Sequence, residues 1–176
     1  STLSSHVHLT TYINNISMEN HDLETPWILW NHGIEDKSWE NSSYKNIYSI
    51  NNLYDYKSYK DVLNTEHLQN SMFFLMRKDI FPTWEDPDNR DGCCASFKIP
   101  LKDIKDTWLT LIQNIISENI HTKSDNYLNI NGLSIAPKKE FNIIKIWFRN
   151  NIKDLSKKIN YDNKYIVTDN CKIKKN

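Results

Sequence analysis

Apolar and β-branched residues fall into short runs separated by polar, Asn-rich stretches. Seven runs have the aromatic and β-branched content of strands: Trp27 to Asn31, Tyr44 to Ile50, Met72 to Arg77, Cys94 to Ile99, Ile130 to Ala136, Ile143 to Phe148 and Tyr165 to Thr168. Elsewhere the period lengthens. Over residues 101–120, Ile104, Trp108, Leu111, Ile112 and Ile115 recur at helical spacing and predict one buried stripe. Asp103 and Asp106 stand near its start, where the helix dipole favours acidic side chains. A shorter helix is expected over 56–64 and another over 152–159, with Ile152, Leu155 and Ile159 turned inward. This unequal mixture, poor in Gly and without a strand-helix-strand rhythm, predicts an α+β domain. A single, mostly antiparallel sheet carries three helices on one face. The other face is left to hold a ligand.

Residues 1–22 are Asn- and Ser-rich and aperiodic, which predicts a flexible arm before a domain over 23–176. His6 and His8 in that arm are not expected to bind metal. The chain has 176 residues, 39% of them hydrophobic, enough for one domain with a core. Its 22 basic and 22 acidic residues cancel, so no overall positive field draws it to long nucleic acid, and any such contact must be local. No apolar run approaches the ~20 residues of a membrane span, and Ser1 onward has no signal-peptide pattern. Cys93, Cys94 and Cys171 form neither an even disulfide framework nor a zinc-ligand spacing. A soluble cytoplasmic monomer without metal or cofactor is expected. Heavy use of Asn, Ile and Lys points to an AT-rich genome, such as that of a parasite or a large DNA virus.

The chain has six Trp. Trp27, Trp30 and Trp108 fit the apolar periodicity and are read as packing. Trp39 lies in the polar run Glu35 to Asn41, and Trp84 stands between Pro82 and Pro87, so burial does not explain them. Loop aromatics among polar residues are stacking platforms for bases, each stack contributing ~1–3 kcal/mol. A cationic ring between two indoles gains a further ~0.5–2 kcal/mol. Glu85, beside the second plate, can accept an imino N–H and an exocyclic amine together, the pair that guanine offers and adenine does not. Two stacks and one bidentate carboxylate give a gross ~4–9 kcal/mol before ordering costs, which makes micromolar binding a reasonable scale. A competing reading takes Glu85, Asp86 and Asp88 as acid/base or metal-binding carboxylates of a guanine-nucleotide-processing enzyme. No Gly-rich phosphate loop, nucleophile-base ordering or second carboxylate cluster accompanies them. Pro87 to Gly92 is read as a solvated turn, and no catalytic residue is assigned.

Trp27-Ile28-Leu29-Trp30, Lys37-Ser38-Trp39, Ile80 to Asp86, Trp108-Leu109 and Ile143 to Trp147, in this order, resemble the cap-binding translation initiation factor 4E family. The resemblance implies a curved antiparallel sheet whose concave face binds the 7-methylguanosine cap of messenger RNA, with three helices on the convex face. It implies that Trp39 and Trp84 sandwich the base and that Glu85 holds its Watson-Crick edge, with the backbone N–H of Glu85 reaching the 6-carbonyl. Trp147 would lie against the methyl group.

The phosphate grip departs from the family pattern. Lys138 falls on one of the family's basic positions, but Ile143 and Cys94 fall on two others. Lys139, Lys145 and Arg90 are the candidate substitutes. The implied partner is a scaffold protein of the 4G kind or a dedicated equivalent, docked on the convex face through His21, Leu23, Tyr59, Lys60, Leu109 and Gln113. Lys60 and Gln113 stand there where the family is apolar, which would weaken the usual partner helix. A cap-sequestering repressor without ordinary scaffold binding is therefore the alternative to an initiation factor.

Overall fold

The computed structural model describes residues 21–121 and 124–159. Six strands form one sheet: β1 (Asp22–Gly33), β2 (Lys45–Asn52), β3 (Ser71–Arg77), β4 (Cys93–Pro100), β5 (Ile130–Pro137) and β6 (Phe141–Phe148). Their order is β2-β1-β3-β5-β6-β4, and every neighbouring pair is antiparallel. The helices are α1 (Leu53–Val62), α2 (Thr65–Asn70), α3 (Ile104–Ile116) and the single turn α4 (Leu155–Lys158). The curved antiparallel sheet with α1, α2 and α3 packed on it matches the expected fold class, and α4 is a further single turn. The run expected as a seventh strand, 165–168, lies outside the described residues.

Element boundaries differ from those expected, each for a local reason. β1 starts at Asp22 rather than Trp27, because its polar first residues pair along β2, with Asp22 opposite Asn52. The helix expected over 56–64 ends earlier and restarts. Asn64 accepts the His67 N–H while the His67 ring takes the Asn64 N–H, a reciprocal cap that begins α2. The long helix opens with a 3-10 turn at Leu101–Asp103 and closes after Ile116, where the Ser117 hydroxyl turns back onto the Gln113 carbonyl at 2.6 Å. Of the helix expected over 152–159, only Leu155–Lys158 is helical.

Paired residues of a sheet share a face, so the register sorts side chains into two sets. One set comprises Trp27, Leu29, Phe73, Leu75, Ala95, Phe97, Leu133, Ile135, Ile144 and Ile146. These pack with Ile104, Trp108, Leu111, Ile112 and Ile115 of α3 into the main core. Full burial of each such apolar side chain contributes ~1.5–3 kcal/mol. Trp108 lies wholly inside and donates its indole N–H to the Tyr59 hydroxyl of α1 at 2.9 Å. Burial pushes the Tyr59 phenol up to about 12.

Buried Arg77, at the end of β3, ties this layer to the segment after α3. Its guanidinium covers the Trp27 ring at 4.3 Å and forms a two-point ion pair with Glu118 at 2.8 and 2.6 Å. It also donates to Thr25 and to the Ile130 and Tyr127 carbonyls. All five of its donors have acceptors, the condition under which a buried cation is tolerated. Cys93 takes part in a disulfide whose partner lies outside the described residues, and Cys94 is a buried free thiol. The cysteine spacing gave no reason to expect that bond. Among the described residues no helix is long and apolar enough to cross a membrane.

Candidate ligand site on the helix-free face

The second set of side chains emerges opposite the helices, in two adjacent rows. The pairings Trp30↔Phe74, Phe74↔Ser134, Ser134↔Lys145 and Lys145↔Ser96 define one row. Ile28↔Met76, Met76↔Gly132, Gly132↔Trp147 and Trp147↔Cys94 define the next. A smaller apolar cluster of Tyr44, Phe74, Met76, Ile80, Cys94 and Trp147 covers this face, with Trp30, Met72, Phe81 and Trp84 packed against it. Trp30 is packing, as expected, but on this face rather than in the main core.

Trp147 is nearly buried, and its indole N–H donates to Ser134 Oγ at 2.9 Å. Trp84 lies flat on it, with ring centroids 4.4 Å apart and planes 13° from parallel. Opposite Trp147, β5 carries Gly132, and a Cβ there would stand 2.2 Å from Met76 Sδ and 2.7 Å from the Leu75 carbonyl oxygen, so the missing side chain is what lets β3 pack this closely.

The Trp84 loop is fixed by polar side chains that the sequence reading treated as solvated. The Asp86 carboxylate accepts the N–H groups of Phe81 (3.0 Å) and Asp88 (2.8 Å). Asn89, 1% exposed, donates to the carbonyls of Phe81 and Thr83 at 3.0 and 2.9 Å. Asn131 of β5 donates in turn to the Asp88 carbonyl and to Asn89 Oδ1. The solvated-turn reading of Pro87 to Gly92 is therefore corrected at Asn89 and Gly92, both of which are buried. Their signal was faint, since an Asn in a turn and an Asn holding one have the same local sequence.

Trp39 stands in the loop between β1 and β2 and is 58% exposed. It rests on the buried ring of His32, with centroids 4.2 Å apart and planes 7° from parallel, and meets Tyr44 obliquely at 6.4 Å. Tyr44 touches Phe74 at 5.6 Å, and Phe74 meets Trp147 at 6.2 Å. A continuous run of rings thus leads from Trp39 to Trp84, although among the described residues no ring contact joins those two directly. Glu85 is exposed, and its charge adds to burial in pushing the Tyr44 phenol up to about 12. Sequence reasoning missed His32 and Tyr44 as members of this face. The alternation that carries Trp30 there carries His32 with it.

The basic candidates do not converge. Lys145 is half-buried on the open face between Ser96 and Ser134, and its charge opposes the upward push that burial gives the Cys94 thiol. Lys138 and Lys139 are exposed in the turn between β5 and β6. Arg90 is exposed just before β4, at the opposite end of the sheet, where Cys93 pairs with Phe148. Six residues of strand, about 20 Å, separate those two ends.

On the helix side, Tyr59 and Leu109 are buried, and the Leu109 carbonyl accepts the Tyr56 hydroxyl at 3.1 Å. Leu23 packs against the main core, while His21, Lys60 and Gln113 are exposed. Tyr59 also lines an apolar cavity of about 450 Å³ beside Leu29, Tyr48 and Leu63, rimmed by exposed Ile47 and Val62.

Comparison with known proteins bears on this arrangement. A curated relative, the eukaryotic translation initiation factor 4E homolog of Acanthamoeba polyphaga mimivirus, is 33% identical over 64 residues. That match covers 36% of this chain and 24% of the relative, so the chain matches about a quarter of its length. Among solved structures, Ascaris suum eIF4E-3 in complex with the m7G cap superposes with a TM-score of 0.66 at 22% identity, covering 76% of each chain. Caenorhabditis elegans eIF4E-3, in complex with the 4E-binding protein Mextli and a cap analog, gives 0.65 at 21% identity, over 74% of this chain and 75% of that one. Schistosome eIF4E, complexed with m7GpppA and 4E-BP, gives 0.67 at 16% identity, over 74% and 73%. At these identities the superpositions establish the fold. Residues 22–174 match the family profile of eukaryotic initiation factor 4E, and the chain belongs to that family.

Proposed function

We propose that this chain binds the 7-methylguanosine cap of messenger RNA on its helix-free face and acts, without catalysis, in cytoplasmic translation initiation. The observation that carries the reading is the exposed Trp39 plate, joined by a run of rings to the Trp84–Trp147 stack, with Glu85 on the same loop as Trp84. The base stacks on the free face of Trp39, and Glu85 accepts its imino N–H and amine. Trp84 leaves Trp147 to cover the other face of the base, and Trp147 then meets the N7 methyl group. Parting the indole pair costs about 0.5–1.5 kcal/mol. Two base stacks at ~1–3 kcal/mol each, with cation-π attraction added, outweigh that cost.

Lys145 is the basic candidate on the face itself, with Arg90, Lys138 and Lys139 at its ends. Against the enzyme reading, both oxygens of Asp86 are engaged by backbone N–H groups, and Asp88 pairs with Arg149.

Relatives of this fold were solved with 4E-binding proteins. We take the helix-bearing face as the partner face here, for a scaffold of the 4G kind or its equivalent. Exposed Lys60 and Gln113 on that face favour the second reading, a cap-sequestering relative that the usual partner helix engages weakly. Retention on immobilised 7-methylguanosine triphosphate tests cap binding. Free cap should compete, unmethylated nucleotide should not, and neither Trp84→Ala nor Glu85→Ala should be retained. If both variants keep the binding, the pocket assignment fails. A peptide carrying the family's Tyr-x-x-x-x-Leu motif separates the two readings, since micromolar binding supports the ordinary partner.

A further inference from the structure

The His32 ring under Trp39 is wholly buried, and both of its nitrogens face carbonyl oxygens. Nδ1 lies 2.9 Å from the Gly33 oxygen and Nε2 lies 2.8 Å from the Ser38 oxygen. A carbonyl oxygen only accepts, so each contact needs an N–H. A neutral imidazole has one, an imidazolium two. We propose that His32 works as an imidazolium that positions Trp39 and so ties the affinity of the site for its ligand to pH. This inference rests on the cap-binding reading above.

Gly33 begins the loop that carries Trp39, and Ser38 immediately precedes that residue. A ring that donates to both carbonyls clamps the loop at its start and again just before Trp39. The same positive ring lies flat against the indole, where cation-π attraction adds to the clamp. Trp39 has little other support: it is mostly exposed, and its contact with Tyr44 is oblique. In the neutral ring, one nitrogen lone pair would face a carbonyl oxygen in a site closed to water, and that end of the loop would be released. The other groups around the ring are Tyr44, whose edge lies 5.0 Å away, and Met72, its β3 neighbour. Asp36 of the loop accepts the Ser38 N–H, and the charge of Glu85 is felt by Tyr44. Because the charged ring is the one that clamps, the benefit is present while the ring holds both protons and is lost when a rise in pH removes one.

The test is the affinity for 7-methylguanosine triphosphate, measured from pH 5.5 to 8 for the wild-type chain and for His32→Phe, which keeps a stacked ring without N–H groups. Titration of the ligand, Glu85 or Asp36 enters both proteins and cancels in the ratio. The wild type is expected to bind about three- to tenfold more tightly at the acid end, with the ratio falling towards one at the alkaline end. A ratio independent of pH, or one that rises with pH, overturns the inference. Nitrogen-15 NMR of the unliganded wild-type chain decides it independently, even if the variant does not fold. Both His32 ring nitrogens should be protonated at the acid end, and the Trp39 indole N–H should shift together with the imidazole titration. A ring with a single N–H throughout, or a Trp39 signal indifferent to it, overturns the proposal. Absence of cap binding at every pH would instead refute the cap-binding reading, and the NMR titration would still decide the role of His32.

Discussion

The Trp84 and Trp147 rings lie stacked, 4.4 Å apart and 13° from parallel, so the loop's aromatic plate is paired with a ring of the sheet. Trp147 is buried and hydrogen-bonded to Ser134, whereas Trp84 is half-buried, so on the proposed reading Trp84 is the ring expected to move. Saturating 7-methylguanosine triphosphate should reduce the near-ultraviolet circular-dichroism signal of this indole pair and quench tryptophan emission. Trp84→Ala should remove that signal in the unliganded chain and weaken cap binding by ~1–3 kcal/mol, about 5- to 150-fold, with little change in folding stability. Undiminished binding by this variant would show that the ligand does not use the Trp84 ring.

Asn89 separates the support of the loop from its contact with ligand. Its side chain holds the Phe81 and Thr83 carbonyls and touches Asn131, all at a position closed to water. Asn89→Ala leaves buried polar groups without partners, at ~1–3 kcal/mol each. The expected outcome is a lower urea midpoint together with weaker cap binding, since Trp84 and Glu85 lie between the two carbonyls and Asn89 itself. Arg149→Ala removes a half-exposed ion pair with Asp88 and a long, 3.4 Å hydrogen bond to the Leu128 carbonyl, and should cost less than ~1 kcal/mol. Equal effects of the two substitutions would contradict the assignment of Asn89 as the loop's anchor.

The sheet was legible because β1, β3 and β6 carry aromatic and β-branched residues, and α3 was legible because Ile104, Trp108, Leu111 and Ile115 repeat at the helical period. The break between α1 and α2 was not: Asn64 is a favoured cap residue, but His67 stands at the third helical position, where the usual reciprocal cap has Glu or Gln. In the candidate site, Trp39, Trp84 and Glu85 stood out because they defy the apolar pattern. Their supports did not. His32 reads as one more strand residue, and Asn89 as one more turn residue. What makes each a support is its contact: with Ser38 six residues on for His32, and with Asn131 forty-two residues on for Asn89.

Gly92 closes the Trp84 loop where β4 begins, and a Cβ there would stand 1.7 Å from the Phe148 carbonyl oxygen. The obstacle is backbone of β6, beside Trp147, and cannot turn aside as a side chain would. Gly92→Ala should therefore destabilise the fold by ~3 kcal/mol or more, read as a fall in the urea midpoint. An unchanged midpoint would mean that the β4–β6 register shifts easily, and the position of Trp147 would then be less fixed than the Ser134 hydrogen bond implies.

The distribution of basic residues makes a quantitative statement about salt. Each phosphate neutralised by Lys or Arg adds roughly 0.7 to 0.9 to the magnitude of the slope of log affinity against log salt. Lys145 is the one basic candidate placed on the open face between Ser96 and Ser134, whereas Arg90 and Lys138 lie at opposite ends of the sheet, too far apart to hold one short phosphate chain together. The slope for 7-methylguanosine triphosphate should thus be about one to two in magnitude, and a value of three or steeper would sink the idea. Lys145→Ala should flatten it by roughly one contact, ~0.7–0.9, and weaken binding most at low salt. Lys138→Ala and Arg90→Ala together should change it less than Lys145→Ala alone. The reverse ranking would move the phosphate path away from β6 and towards the sheet ends.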